Sequence, residues 1–372
     1  MSDFFKKLVK HNKDSASIED SELFNERDLT ELPVYLLNIA YSGRLHGGLG
    51  SGLHFWAAPS KHFKTLAGLI CVGAYLKKYP EAICFFYDSE FGSTLSYWKS
   101  AGIDLSRVIH IPIRNVEDFK FDIVGKLEML VEENDGKKDK QKVIIFIDSI
   151  GNLASKKEVE DAINEKSVAD MTRAKALKGL FRIITPYLTL EQIPCVAVNH
   201  VYSEQGMFPK TIMSGGTGGQ YSATNIFFIS KAQERETDPN DKKEKLSGFT
   251  FKIKAEKSRY VKEQSIFPMT VSFKGGISKY TGLLDIALEL GSVTKPKNGW
   301  YTREMFDPST GEVIPDKSWR KSEITGEWWE TLIKQSDFEK RVEDRYRLPT
   351  ADIIAQDVKD FDETDEDDAS EE

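Results

Sequence analysis

The thirteen residues Leu53–Thr65, LHFWAAPSKHFKT, decide how the rest of the chain is read. An apolar run breaks at Pro59, a short polar loop follows, and Lys64-Thr65 opens an apolar-periodic segment from Leu66 to Tyr79. Strand, loop, Lys-Ser/Thr, helix is the layout of a phosphate-binding loop. Its backbone N–H groups and helix N-terminus form a concave positive site for a polyphosphate. In that layout Ala58, Pro59, Ser60, Lys61, His62 and Phe63 surround the polyphosphate, Lys64 reaches the β- and γ-phosphates, and the Thr65 hydroxyl ligates Mg²⁺. Ala58 and Phe63 stand where the common pattern has glycine. An ordinary strand-to-helix turn with a surface lysine would read the same way, so the downstream sequence has to decide.

The chain has 372 residues, enough for one large domain and a smaller one. No apolar run approaches the ~18–20 residues of a membrane span. The first residues, MSDFFKKLVKHNKD, lack the apolar stretch of a secretory signal, which predicts a cytoplasmic protein. Cys71, Cys84 and Cys195 sit inside apolar segments without CxxC spacing, and read as buried thiols. The net charge is −8, but Asp357–Glu372 holds ten acidic residues against one lysine, or −9, so residues 1–356 carry +1. The tail is disordered by composition. It reads either as a solubilising tail or as a nucleic-acid mimic that competes with DNA for basic surface.

Residues 1–32 form a polar arm too small to bury its own core, with apolar clusters at Phe4, Phe5 and Leu8 and at Leu23 and Phe24. A helical pattern starts at Pro33. Repeated β-α units follow the phosphate loop. Strands are expected at Ala82–Tyr87, Arg107–Ile113, Val143–Ile147 and Pro194–Asn199, and helices near Thr94–Ala101, Val116–Glu133 and Ser167–Leu188. That alternation predicts a mostly parallel sheet covered by helices on both faces. Strands at Ile226–Ser230, Phe249–Ala255 and Phe267–Phe273 then come without helices between them and predict an antiparallel extension, with Arg235–Lys245 as a charged hairpin loop. A helix at Leu283–Leu290 closes a core of residues 33–290. Residues 291–350, rich in tryptophan, predict a small C-terminal α+β domain with a hairpin in WYTREMFDPSTGEVI and a helical stretch near Trp328–Tyr346, and 351–372 make the acidic tail.

Three strand ends converge on the phosphate loop. VIIFI ends in Asp148-Ser149, where the aspartate can hold Mg²⁺ or its water, although an aspartate there is also a common helix cap. AICFFY ends in Asp88-Ser89-Glu90, where Glu90 can orient the attacking water. CVAVNH ends in Asn199-His200, polar groups placed to face a γ-phosphate, and opens a long glycine-rich loop to Tyr221. A loop of that length in a compact domain is usually functional, and a phosphate contact at His200 would order it.

The segments APSKHFKT, FFYDSEFG, FIDSIGNLASKKEVEDAINEK, MTRAK, VNH, SGGTGG and AEKSR follow the order and approximate spacing of the RecA family of recombinases. The chain resembles in particular the branch found in T-even-like phages, over about residues 20–350, and that branch shares a phosphate loop with Phe at the second glycine. The resemblance implies a RecA-like P-loop ATPase core. It implies that Lys64 and Thr65 bind ATP and Mg²⁺, that Glu90 activates water, that Asp148 supports the metal, and that Tyr97 stacks on adenine. His200 falls where the family senses the γ-phosphate. Glu158–Lys166 and Val201–Gln220 match two DNA-binding loops, and Arg173 an arginine on the DNA-facing side. Lys257 and Arg259 match two cations that reach a neighbour's ATP. Independently, Gly215, Gly216, Gly218 and Gly219 let backbone N–H groups approach DNA phosphates. Lys166, Arg173 and nearby lysines concentrate charge, although a solvated helix face accounts for half of them.

The expected function is an ATP-dependent recombinase that forms helical filaments on single-stranded DNA. It would promote pairing and strand exchange with homologous double-stranded DNA in recombination, repair and recombination-dependent replication. Expected partners are the DNA strands, further copies of the chain, a recombination mediator and a single-strand-binding protein, with no membrane. The N-terminal arm, through Phe24, would dock on the next subunit. Two alternatives stay open: a hexameric helicase built on the same core, and an ATP-gated DNA-coating protein with little hydrolysis.

Overall fold

A computed structural model describes residues 2–11, 15–21, 28–165, 172–204, 210–237, 244–307 and 310–348. Lys166, Phe24 and the acidic tail lie outside the described residues, as do parts of both expected DNA loops. Helix α1 (Asp3–Lys10) is capped by Ser2 and buries none of its side chains; Phe4, Phe5 and Leu8 are exposed. Helix α2 (Tyr35–Ser42) is buried on every side and ends at Gly43, whose φ of 73° makes the left-handed stop.

Strand β1 (Gly52–Ala57) is wholly buried and leads through the loop 58–63 into α3 (Lys64–Lys78). Then come β2 (Ile83–Asp88), α4 (Leu95–Ser100), β3 (Val108–Pro112), α5 (Val116–Asn134), β4 (Val143–Asp148), α6 (Lys156–Ile163), α7 (Thr172–Leu190) and β5 (Pro194–Asn199). The continuous apolar runs become strands because a parallel strand covered on both faces has no solvent side to alternate with. Gly68 lets α3 lie close on the sheet, since a Cβ there would come within 2.1 Å of the Phe146 ring.

The segment from His200 to Tyr221, expected as one long loop, has structure of its own among its described residues. Strands β6 (Val201–Ser203) and β7 (Thr211–Met213) pair antiparallel, and a short helix α8 (Gly218–Ser222) follows. Strands β8 (Ala223–Thr237) and β9 (Glu244–Ser258) then run far longer than the apolar pattern indicates. Arg235–Thr237 and Glu244–Lys245, expected as charged loop, are paired strand, because hairpin hydrogen bonds extend past the apolar face. Strands β10 (Ile266–Ser272) and β11 (Gly276–Ile277) complete the sheet.

Among the described residues nine strands form this sheet in the order β11-β10-β9-β8-β1-β5-β4-β2-β3. Pairings from β3 to β8 are parallel and those from β8 to β11 antiparallel, so β8 joins β1 in parallel before the extension begins. Two apolar clusters cover the faces.

Helix α9 (Leu283–Glu289) leads to β12 (Val293–Lys297), β13 (Trp300–Arg303), β14 (Met305–Phe306), β15 (Val313–Ile314) and β16 (Trp319–Arg320). The expected hairpin narrows to β14–β15, while β13 pairs with β12 and β16. The single helical stretch near the end is two helices, α10 (Gly326–Lys334) and α11 (Phe338–Tyr346). Their Trp328, Trp329, Phe338 and Tyr346 share one apolar cluster with α2, β9 and β10. All three cysteines are buried. Among the described residues no helix is long and apolar enough to cross a membrane.

Candidate functional site

The carboxyl ends of β1, β2, β4 and β5 meet at a cleft of about 230 Å³. In open parallel sheets, ligands bind at these ends. Its floor is the loop between β1 and α3. The left-handed backbone falls on Lys61 (φ 60°) and Phe63 (φ 69°), not on Ala58, so alanine at the first glycine position meets no conformational conflict. A non-glycine residue in that region costs about 1–2 kcal/mol. Packing of the Phe63 ring against Phe251, centroids 5.3 Å apart, offsets it. No side chain caps α3 at Phe63, which leaves the first N–H groups of a 15-residue helix for an anion.

Lys64 is buried and donates from Nζ to the Pro59 carbonyl at 2.7 Å. Burial pulls its pKa down, against the opposing charges of Glu90 and Asp148. The Thr65 hydroxyl donates to Asp148 Oδ2 at 2.7 Å. The other oxygen, Oδ1, is buried without a hydrogen-bond partner among the described residues. Burial raises the Asp148 carboxyl to about 7; Glu90 and Asp88 add to the shift, and Thr65 and Lys64 oppose it. A buried carboxylate with one free oxygen beside a threonine hydroxyl is a donor set suited to Mg²⁺. Tyr97, on α4, lines the same cleft.

Register explains the carboxylate grouping. β2 and β4 pair with Asp88 opposite Asp148. Asp88 Oδ1 accepts from the backbone N–H groups of Glu90 (3.1 Å) and Phe91 (2.8 Å), and Oδ2 lies 3.1 Å from His110 Nε2. That turn delivers Glu90. Its Oε1 accepts from Ser149 Oγ at 2.6 Å and lies 2.9 Å from His200 Nε2. The His200 ring occupies the space over Gly151, where a Cβ would come within 2.3 Å of it. Asp88, Ser149 and Gly151 also shape the cleft, and the sequence alone does not single them out. The adjacency of Ser149 to Asp148 was the available signal; the other two depend on strand register.

Several expected residues are placed differently. Asn199 does not face the cleft: it is buried, donates to the Ser214 carbonyl at 2.9 Å and accepts from His200 N at 2.8 Å, tying β5 to the loop. Arg173 does not project outward. Its guanidinium donates to the carbonyls of Leu153 (2.5 Å), Ile150 (3.1 Å) and Gly151 (3.0 Å), and reaches Ser214 Oγ at 3.4 Å. Gly215 and Gly216 make a left-handed turn at φ 93° and 76°. Gly218 and Gly219 are instead buried against Lys178 and against Phe55 and Phe181, so they serve packing, not phosphate approach. Glu158–Ile163, expected in a DNA loop, belongs to α6, held by a Ser155–Glu158 capping box.

Lys257 and Arg259 lie at the outer end of β9, with Arg259 one residue beyond the strand. Ile226 pairs with Lys257 and Phe227 with Ala255, so Glu256 is the extra residue of a bulge. Alternation alone would send Lys257 to the core side with Ala255; the bulge turns it outward. Lys257 Nζ donates to the carbonyls of Gln220 (2.6 Å) and Tyr221 (3.3 Å) in α8. Glu256 pairs with Lys254, at 3.0 Å.

Comparison with known proteins fits this arrangement. Residues 280–342 match the family described as "Bacteriophage T4, Recombination and repair protein, C-terminal domain". The recombination and repair protein of Enterobacteria phage T4 is 48% identical over 356 residues, covering 95% of this chain and 88% of that protein. Protein RecA of Cytophaga hutchinsonii is 23% identical over 249 residues, 66% of this chain and 64% of its own length. Protein RecA of Clostridioides difficile is 24% identical over 247 residues, 66% and 65% of the two chains.

Proposed function

This chain belongs to the UvsX-type family of RecA recombinases, which act in recombination and repair, and we propose that it does so as a DNA-dependent ATPase whose active sites are shared between neighbouring subunits of a helical filament. One observation carries the reading: Lys64, Thr65, Asp148 and Glu90, from three separate segments, line a single cleft at the uncapped start of α3.

ATP is the substrate. The loop Ala58–Phe63 and the first N–H groups of α3 hold its phosphates, Lys64 leaves the Pro59 carbonyl for them, and Tyr97 packs on the base. Thr65 and Asp148 hold Mg²⁺, for which the partnerless Asp148 Oδ1 is the fitting donor. When bound, Mg²⁺ neutralises charge on the phosphates. Glu90 has Oε1 committed to Ser149 and His200, which leaves Oε2 to orient the attacking water. His200 links that carboxylate to the β6–β7 hairpin, since β6 begins at the next residue, Val201; nucleotide state at Glu90 therefore reaches the DNA loop. Lys257 and Arg259 complete the site of the adjoining subunit, so ATP tightens the filament.

DNA is held mainly through its backbone, by the turn at Gly215 and Gly216 and by Lys166, with Arg173 bracing the frame beneath them. Homologous duplex, a mediator and a single-strand-binding protein are the further partners, in the cytoplasm of the host cell. Residues 33–290 serve as the ATPase core, 291–350 as a C-terminal domain and 1–32 as a contact arm. The test is ATP hydrolysis with and without single-stranded DNA, followed by strand exchange with homologous duplex. DNA-stimulated hydrolysis with homology-dependent exchange is expected. Steady unwinding of a forked duplex lacking homology would make it a motor, and hydrolysis indifferent to DNA would make it a coating protein.

A further inference from the structure

We propose that Ser258 and Asn225 are positioning residues that set the two cations one subunit lends to its neighbour's nucleotide, an inference that rests on the shared-site reading above. Ser258 separates Lys257 from Arg259. Its hydroxyl donates to Asn225 Oδ1 at 2.7 Å and accepts from the N–H groups of Tyr260 (3.1 Å) and Val261 (3.0 Å). Asn225 is wholly buried on β8. Its Nδ2 donates to His54 Nδ1 at 3.2 Å and to the Tyr41 carbonyl at 3.4 Å. His54, wholly buried on β1, donates from Nε2 to the Gly50 carbonyl at 3.0 Å, which leaves Nδ1 to accept. The next residue back, Thr224, accepts the Arg259 N–H at 3.2 Å.

The chain segment carrying both cations is thus fastened, through a relay of buried polar groups, to the strand that delivers the phosphate loop. The fastening answers a problem in the site. Lys257 and Arg259 repel each other, and burial together with Arg259 lowers the Lys257 pKa. Left to the bulge alone, the two would splay. A fully satisfied buried network specifies one geometry, whereas an apolar contact in the same place would stabilise without fixing direction.

The assay mixes variants on single-stranded DNA with ATP. Ser258→Ala alone is expected to lose DNA-stimulated hydrolysis on the order of 10²-fold, the scale for a catalytic group displaced by about 1 Å. Mixed with Glu90→Gln, it should regain activity, because it brings an intact phosphate loop and Glu90→Gln brings placed cations. Mixed with the Lys257→Ala/Arg259→Ala double variant, it should regain none. Ser258→Thr, which keeps the hydroxyl, should restore hydrolysis. A general folding defect would make Ser258→Ala fail with both partners; that result overturns the inference, as does success with both or full activity alone. Should Ser258→Ala not fold, Ser258→Cys carries the same test. The mixture of Glu90→Gln with the double variant separates the premises. Activity there beside failure of Ser258→Ala with Glu90→Gln removes the positioning role only; silence there removes the shared site, and this inference with it.

Discussion

At the carboxyl ends of β1, β2 and β4, charge is buried and committed: Lys64, Asp88 and Asp148 are each less than a tenth exposed, and their neighbours hold them in register. At the end of β9 the Arg259 side chain is exposed and Lys257 rests on backbone carbonyls. A buried site keeps its shape without a partner. A half-buried lysine and an exposed arginine beside a bulge gain a purpose only when something anionic arrives. On the shared-site proposal, the contrast teaches how a chain can carry all the parts of an ATPase and still need a second copy to assemble them.

The largest expected effect comes from breaking the buried half. Lys64→Ala should abolish ATP-dependent filaments on single-stranded DNA, seen by electron microscopy; normal extended filaments would contradict the role of Lys64. Glu90→Gln keeps shape and loses charge. It should retain ATP and DNA binding while hydrolysis falls by about 10²-fold or more, the scale for a lost general base. Near-normal turnover would put water activation elsewhere.

Proton binding sharpens the contrast, because only the buried half has a carboxyl shifted to about 7, at Asp148. Its folded pKa lies above the unfolded value, so the folded protein holds the proton longer. Without metal, stability is therefore lost as pH rises from about 4 towards 7. Mg²⁺ needs the carboxylate, so apparent Mg²⁺ affinity should rise with pH up to about 7 and then level, with a loss of about tenfold per pH unit below it. Titration of Mg²⁺ in the ATPase assay at pH 6 and pH 8 measures this; equal half-saturation at both would refute it. Smallest is the effect of the tail. Deleting Asp357–Glu372 removes −9 and should strengthen duplex binding at low salt, by competition for exposed basic surface that salt screens. Identical affinities across a salt titration would leave the tail a solubilising segment.

The parallel core was legible because strands buried on both faces must be written as unbroken apolar runs, as Val143–Ile147 is. The strand-loop-helix layout at 53–78 was legible because the apolar run breaks at Pro59 and an apolar-periodic segment restarts after Lys64-Thr65. What stayed hidden depended on pairing. Arg235 and Lys245 look like loop residues until β8 and β9 are seen to zip past their apolar stretch. Asn199 and Arg173 looked like ligand-facing groups, since polar residues near a site are easily assigned to it; nearby carbonyls claimed both. Ser149, Asp88 and Gly151 act through neighbours on other segments, and no spacing along one chain reports that.

The most direct test of the shared site is to mix Glu90→Gln with Lys257→Ala/Arg259→Ala and measure ATP hydrolysis on single-stranded DNA. Each protein alone should be nearly inactive. In a head-to-tail mixture in equal amounts about a quarter of interfaces join two intact halves, so DNA-stimulated hydrolysis should return to about that fraction of the unmodified protein. If both variants enter the same filaments and hydrolysis stays at the level of either alone, the two halves do not belong to one site.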